Sequence, residues 1–440
     1  MTTSADAPMA SAPTPFFRIL ATAARVVEQV PLQPDRTPPI LTTPLDSATS
    51  SSTLTSPSRL HAFCALPPAA ISVLAPRRHP AAAAHLGNGP GHISVVTSTG
   101  FQKLTLDAYH DAVDALLPDI VVPMADLTYG GHGGLSYPTA KRAVRMADRT
   151  EDWIDQFLSR TTNTADGPHV FAPTLPVPYA TQWQYLNGLA DWMTGQGDRS
   201  PQKALAGLAV YDVDLLPDLR ADYDNSLALL PRLSLHPAPT PHHMLRQIAL
   251  GADLIVLPAI TAASEAGLAY TFSWDVAFQA ETMPSDRPLD PLDPLDPPDH
   301  PDHSPDQILP LAVDLSDPSH AASLLPLAPG CSCAACVAGH HRAYVHHLLD
   351  AHEMLAWTLL QIHNHHVVDR LFAAVRATLA DPDPDAFERT RRRFHLAFAP
   401  DLPVGSAVRP RARGYQAVSN GPVDSRLNKP AWGRLEEVGH

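Results

Sequence analysis

Three cysteines within six residues, Cys331-Ser-Cys333-Ala-Ala-Cys336, carry the clearest chemistry in this chain of 440 residues. Clustered thiolates hold soft and borderline divalent metals, and zinc closes a structural site with four ligands in a tetrahedron. The stretch that follows offers His346, His347, His352, His363, His365 and His366 as candidates for the fourth ligand. The remaining cysteine, Cys64, stands alone and reads as an ordinary buried thiol. A catalytic zinc fits poorly. A base deaminase needs His-x-Glu and Pro-Cys-x-x-Cys, whereas here Ser332 precedes Cys333 and His352 adjoins Glu353. The His-Glu-x-x-His signature of metalloproteases is absent as well.

The elements that position this cluster have to be built from an unusual composition. Hydrophobic residues make up 45%, enough for a sizeable core, while charged residues reach only 17% and prolines number 47. Proline is excluded from helix interiors and central strands, so irregular segments must interrupt the fold. Four cysteines make no disulfide framework, and the amino-terminal stretch lacks a basic region followed by an apolar one, so a reducing cytoplasm is expected. No run approaches the ~20 apolar residues of a membrane-spanning helix. Lys plus Arg total 31 against 45 Asp plus Glu, a formal net charge of −14, which argues against a broadly basic nucleic-acid binder but leaves room for a local patch. With 23 histidines, the charge should move strongly between about pH 5 and 7.

Residues 1–90 read as short strands among low-complexity loops. From His92 the texture becomes strand, helix, strand, helix. The apolar runs at 93–96, 119–122, 170–172, 205–210, 232–235, 253–257 and 267–270 alternate with helical periodicity at 106–117, 139–160, 181–193 and 240–250. That alternation predicts a parallel α/β fold, and without a dinucleotide or P-loop glycine motif a (β/α)8 TIM barrel over 91–380 fits best. An inserted zinc-binding helical subdomain is expected at 328–370, near the C-terminus. The Pro/Asp stretch 283–307 reads as a disordered insertion. Residues 381–440 read as a basic, partly disordered tail, because ten Lys/Arg face three acids between Glu388 and Arg434. Trp153, Trp183, Tyr185 and Trp357 follow helical spacing and are expected in the core, and Tyr129–Gly134 reads as a mobile loop.

The string CSCAACVAGHHRAYVHHLLDAHEMLAWTLLQIHNHH resembles the zinc segment of the tRNA-guanine transglycosylases, where Cys-x-Cys-x2-Cys precedes Arg-Ala-Tyr, His-His-Leu and Ile/Met-His-Asn. The resemblance implies one structural zinc held by Cys331, Cys333, Cys336 and His363. Here 26 residues separate Cys336 from His363, one more than is usual in the family, so His365 and His366 remain alternatives. Upstream, Ala206-Gly-Leu-Ala-Val210, Ser234–Pro241 with Leu250–Leu254, and Leu104-Thr105 through Pro118–Asp126 resemble further family segments, implying the same barrel.

The departures concern catalysis. Enzymes of this family break the glycosidic bond of guanosine with a nucleophilic aspartate. Matching the motif puts Val256 at that position, and Thr97 stands where the second, acid/base aspartate belongs. Neither side chain can do the work, so no catalytic residue is assigned. The resemblance then implies the non-catalytic member of the eukaryotic heterodimer. Its partner would be a catalytic queuine tRNA-ribosyltransferase subunit, exchanging guanine for queuine at the wobble position of tRNAs with GUN anticodons. It also raises association with the mitochondrial outer membrane, for which the sequence offers no lipid-binding segment. Two rivals stand beside it: an active transglycosylase using a displaced Asp253 or Asp126, and a zinc-stabilised module that binds tRNA or protein. In the first reading the Arg391–Arg393 run and the arginines near Arg409 are phosphate-binding candidates.

Overall fold

The computed structural model describes residues 71–77, 87–97, 100–128, 138–160, 167–194, 205–223, 226–274 and 308–407, with His79, Arg409 and two short strands near the N-terminus. Cys64, the loop 129–134 and the stretch 283–307 lie outside the described residues. An eight-stranded sheet organises the chain. Its strands are β1 (Ile19–Leu20), β2 (Val27–Glu28), β3 (Val73–Leu74), β6 (Ile120–Val121), β7 (His169–Thr174), β8 (Gly207–Val210), β9 (Arg232–Ser234) and β10 (Leu254–Val256), in the spatial order β2-β1-β10-β9-β8-β7-β6-β3. Every neighbouring pair is parallel except β1 with β2. Helices Ala140–Arg160, Tyr179–Thr194, Leu216–Asp222 and Pro241–Leu250 fill the connections between successive strands.

The strands are apolar on both faces, as parallel strands covered by helices must be. Ile120, Phe171, Ala209, Leu233, Leu254 and Val256 share one cluster on the inner face, while Val121, Val170, Ala172, Leu208 and Val210 pack outward with the helices. The sheet is curled: His79, in the loop after β3, lies near enough to His236, after β9, to influence its charging, although three strands separate β3 from β9. Among the described residues no hydrogen bonds join β2 to β3, so the described sheet is an open, barrel-like arc. Gly207 is a packing requirement, since a Cβ there would meet the Phe171 ring at 2.5 Å. Gly251 ends helix Pro241–Leu250 at φ +102, a left-handed conformation that turns the chain into β10.

Three elements depart from the simple alternation. The run at 93–96 belongs to β4 (His92–Thr97), which pairs with β5 (Gly100–Thr105) in an antiparallel hairpin outside the main sheet. That hairpin is held by Trp153, whose indole N–H donates to the Pro90 carbonyl at 2.6 Å. The run at 267–270 contains β11 (Leu268–Tyr270), which pairs antiparallel with β12 (Ala312–Asp314). Trp153, Tyr185 and Trp357 are buried as expected, but Trp183 is 56% exposed: its helix presents the opposite side to the core.

The first part of the stretch expected as a basic tail is the helix Ala386–Ala397. Phe387, Thr390, Arg391 and Phe394 recur at i, i+3, i+4 and i+7 and are buried. Trp274 stacks on Phe387 with centroids 6.0 Å apart, and Arg391 is paired with Glu388 at 2.8 Å. His242 fastens this segment from the neighbouring helix, bonding the Ala399 carbonyl at 2.9 Å with its ring 5.3 Å from Phe394. Burial outweighs that hydrogen bond and pushes the His242 pKa down to about 4. The unfolded chain therefore binds the proton more readily between that value and 6.5, so stability falls as pH drops through this window. Denaturant titrations should show a loss of about 3 kcal/mol from this group, complete only below about pH 4, where both folded and unfolded forms carry the proton. His242→Gln should flatten the slope between pH 6.5 and pH 4; an identical slope would exclude His242 as its source.

Candidate metal centre

Cys331 and Cys333 precede the short helix Ala334–Val337, and Cys336 lies within it. The Cys333 sulfur caps that helix, accepting from the Cys336 amide at 3.3 Å. A thiolate at a helix N-terminus gains from the helix dipole. His363 comes from the middle of the long helix Met354–Leu379 and is fully buried. Its Nδ1 lies 3.5, 3.6 and 3.6 Å from the sulfurs of Cys331, Cys333 and Cys336, and all four candidate ligand atoms fall within 4.8 Å of one another. Tetrahedral zinc, with bonds of ~2.3 Å to sulfur and ~2.0 Å to nitrogen, places such atoms about 3.5 Å apart. The donor set and its dimensions thus fit a metal ion such as zinc.

The alternatives His365 and His366 are engaged elsewhere. His365 meets Gln361 at 2.7 Å and His366 meets Ser332 at 3.2 Å. His346 bonds the Leu315 carbonyl, and His352 bonds the Leu349 carbonyl of its own turn. Between Cys336 and helix Arg342–Asp350 the chain turns at Gly339, which takes φ +78.

The electrostatics of the set favour a cation. The hydrogen bond from Cys336, followed by that from His363, holds the Cys331 thiol down at about 3. Crowding by the other two sulfurs, with burial, pushes Cys336 upward. Burial opposes charging of His363, yet its bonds to Cys331 and Cys333 outweigh this and hold its pKa at about 9. The protons here occupy the place a dication would take. His363 Nε2 donates to the Tyr270 carbonyl at 2.9 Å, which holds the ring with Nδ1 towards the sulfurs; its lone pair becomes available to a metal once the Nδ1 proton leaves.

Asn364, one residue on, grips the same strand. Its carbonyl accepts the Tyr270 amide at 2.8 Å, and its amide donates to Leu268 O and Ser264 Oγ, each at 2.9 Å. Burial is complete, so losing Asn364 leaves several polar atoms unsatisfied. Sequence reasoning quoted the His-Asn pair from a resemblance without seeing this second role. Asn364→Ala should cost roughly 2–4 kcal/mol of unfolding free energy, read from denaturant titration. A change below ~0.5 kcal/mol would remove the clamp from the fold's essential contacts.

The positions where catalysis would be sought are differently built. Val256 is the last residue of β10 and 4% exposed, inside the inner-face cluster. Asp253 precedes the strand and therefore sits at its amino end, opposite the end where barrel enzymes place their chemistry. Its carboxylate accepts the Arg232 amide at 2.9 Å, and burial pushes its pKa up to about 6. Thr97 lies in the separate hairpin. Asp126 is fully buried, with Arg142 and Arg149 each 2.6 Å from one of its oxygens and Asn88 donating at 2.7 Å. Its lone pairs are committed to the hairpin and to helix Ala140–Arg160.

A curled parallel α/β sheet with an appended Cys3His cluster defines a class of barrel-like proteins with a metal-binding helical unit. A profile of the queuine tRNA-ribosyltransferase family matches residues 45–397, and the chain belongs to that family. It is 32% identical to queuine tRNA-ribosyltransferase accessory subunit 2 of Schizosaccharomyces pombe, over 88% of this chain and 78% of that protein. Accessory subunit 2 proteins of Drosophila grimshawi and Gallus gallus are 28% and 25% identical, over 69% and 68% of this chain. Those matches span 66% and 70% of the two relatives.

Proposed function

We propose that this chain is the non-catalytic accessory subunit of a queuine tRNA-ribosyltransferase, paired with a catalytic subunit that exchanges guanine for queuine at the wobble position of tRNAs with GUN anticodons. The observation that carries it is Val256, a buried hydrocarbon where the family's nucleophile stands. The names of the relatives agree, each being called an accessory subunit. Asp253 at the far end of its strand and Asp126 between two arginines leave no displaced carboxylate among these candidates suited to attack. The decisive experiment measures incorporation of labelled base into tRNA by this chain, by a catalytic subunit, and by the mixture. Activity is expected with the mixture, none from this chain alone, and Asp253→Asn should leave the mixture active. Exchange by the isolated chain would overturn the reading.

Cys331, Cys333, Cys336 and His363 would hold one structural zinc per chain, the ion supplying a cross-link between helix Met354–Leu379 and the segment before it. Three thiols kept reduced fit a cytoplasmic setting. The remaining organisation belongs to the same proposal: a barrel over 91–380 closed with help from residues 1–90, the metal unit at 328–370 as an insertion, and a tail to residue 440. Metal analysis should find about one zinc per chain, and Cys333→Ser should lose both metal and folding stability, since binding energy at such sites is folding energy. Full metal retention in Cys331→Ser/Cys336→Ser would refute the ligand set.

A further inference from the structure

Two arginines of the C-terminal helix are already committed within the chain: Arg391 is buried on Glu388, and Arg389 pairs with Asp383. A different surface is better equipped. The first ten residues of helix Ala140–Arg160 carry Lys141, Arg142, Arg145 and Arg149, against a single acid, Asp148. The remainder of that helix carries Glu151, Asp152 and Asp155, with Arg160 in its last turn. This polarity runs against the helix dipole, which disfavours cations at the amino end. A protein with a formal charge of −14 thus gathers cations where the local backbone repels them. Arg142 and Arg149 are accounted for by the buried Asp126, whereas Lys141 and Arg145 have no such structural partner among the described residues, which points to a partner outside the chain.

The geometry adds three points. Lys141, Arg145 and Arg149 recur every four residues and so form one stripe, about 12 Å long at ~1.5 Å per residue. Lys141 and Arg145 are exposed, and neither makes an ion pair among the described residues. Arg142 and Arg149 share one carboxylate, Asp126, which fixes both guanidiniums while neutralising only one, and both remain partly open at 25% and 16% exposure. The stripe also stands at the carboxyl edge of the parallel sheet, since its helix follows β6 and the Asp126 segment; that is the edge at which α/β proteins engage ligands.

We propose that Lys141, Arg142, Arg145 and Arg149 form a contact surface for the phosphate backbone of tRNA on this chain itself. The inference rests on the accessory-subunit reading and deepens it: the subunit would grip RNA directly, adding affinity and register without reading bases. Guanidiniums fixed by a buried carboxylate suit discrete phosphates held in register, which favours RNA over a fluid lipid surface.

The test uses the complex of this chain with a catalytic subunit and a tRNA with a GUN anticodon, measuring affinity against salt concentration. Lys141→Ala/Arg145→Ala removes the two exposed cations and leaves the Asp126 network in place. Losing two phosphate contacts should make the log–log salt slope shallower by about 1.4 to 1.8. The charge-keeping variant Lys141→Arg/Arg145→Lys should retain the original slope. An unchanged slope in the alanine variant overturns the proposal. So does loss of binding to vesicles of anionic phospholipid with the tRNA slope intact, which would assign the stripe to a membrane. If the unsubstituted complex exchanges base while the slope is unmoved, this surface alone falls. If no exchange occurs with the unsubstituted chain, the accessory reading falls instead.

Discussion

Two adjacent side chains on one helix hold the carboxyl-terminal half together. His363 turns its Nδ1 to three sulfurs and its Nε2 to the Tyr270 carbonyl, while Asn364 takes the Tyr270 amide and the Leu268 carbonyl. Among the described residues strand β11 pairs with β12 alone, and its remaining backbone groups find partners on the helix. Strand, helix and thiol cluster are thereby fixed as one body, with Trp357 adding a bond to the Glu265 carbonyl and packing among Leu348, Leu349 and Leu360. A metal in this set would be coupled through a single imidazole to the backbone of the α/β unit.

The sheet itself shows an inner face closed by hydrocarbon. The inner face is filled by Phe171, Leu233, Leu254 and Val256, a continuous apolar packing that needs no ligand to complete it. Asp126 has likewise been drawn into structure, linking the β4–β5 hairpin through Asn88 to helix Ala140–Arg160. Replacing a polar site by packed hydrocarbon removes the desolvation cost that buried carboxylates bring. Packed hydrocarbon thus stabilises the inner face without the buried charge a carboxylate there would bring.

Much of this was legible in the chain because each signal is local. Near-continuous apolar runs such as 207–210 and 254–256 mark parallel strands, and Cys-x-Cys-x2-Cys marks a donor cluster wherever it folds. What escaped depends on partners distant in sequence. The β4–β5 hairpin looks like one more strand until Trp153 is seen holding its loop, 63 residues away. The helix Ala386–Ala397 is masked by its arginines, and its four-residue apolar rhythm becomes decisive only beside Trp274 and His242. Asp126 can be picked out by motif, but nothing in its immediate neighbours announces that two arginines from the next helix will occupy it.

The short ladder of β11 and β12 has a consequence for how the chain tolerates change. Tyr270 pairs with Ala312, and Thr271 bonds the Leu311 carbonyl, so the stretch between them enters and leaves at one clamped doorway. A change that weakens the β11–β12 pairing would loosen both ends at once.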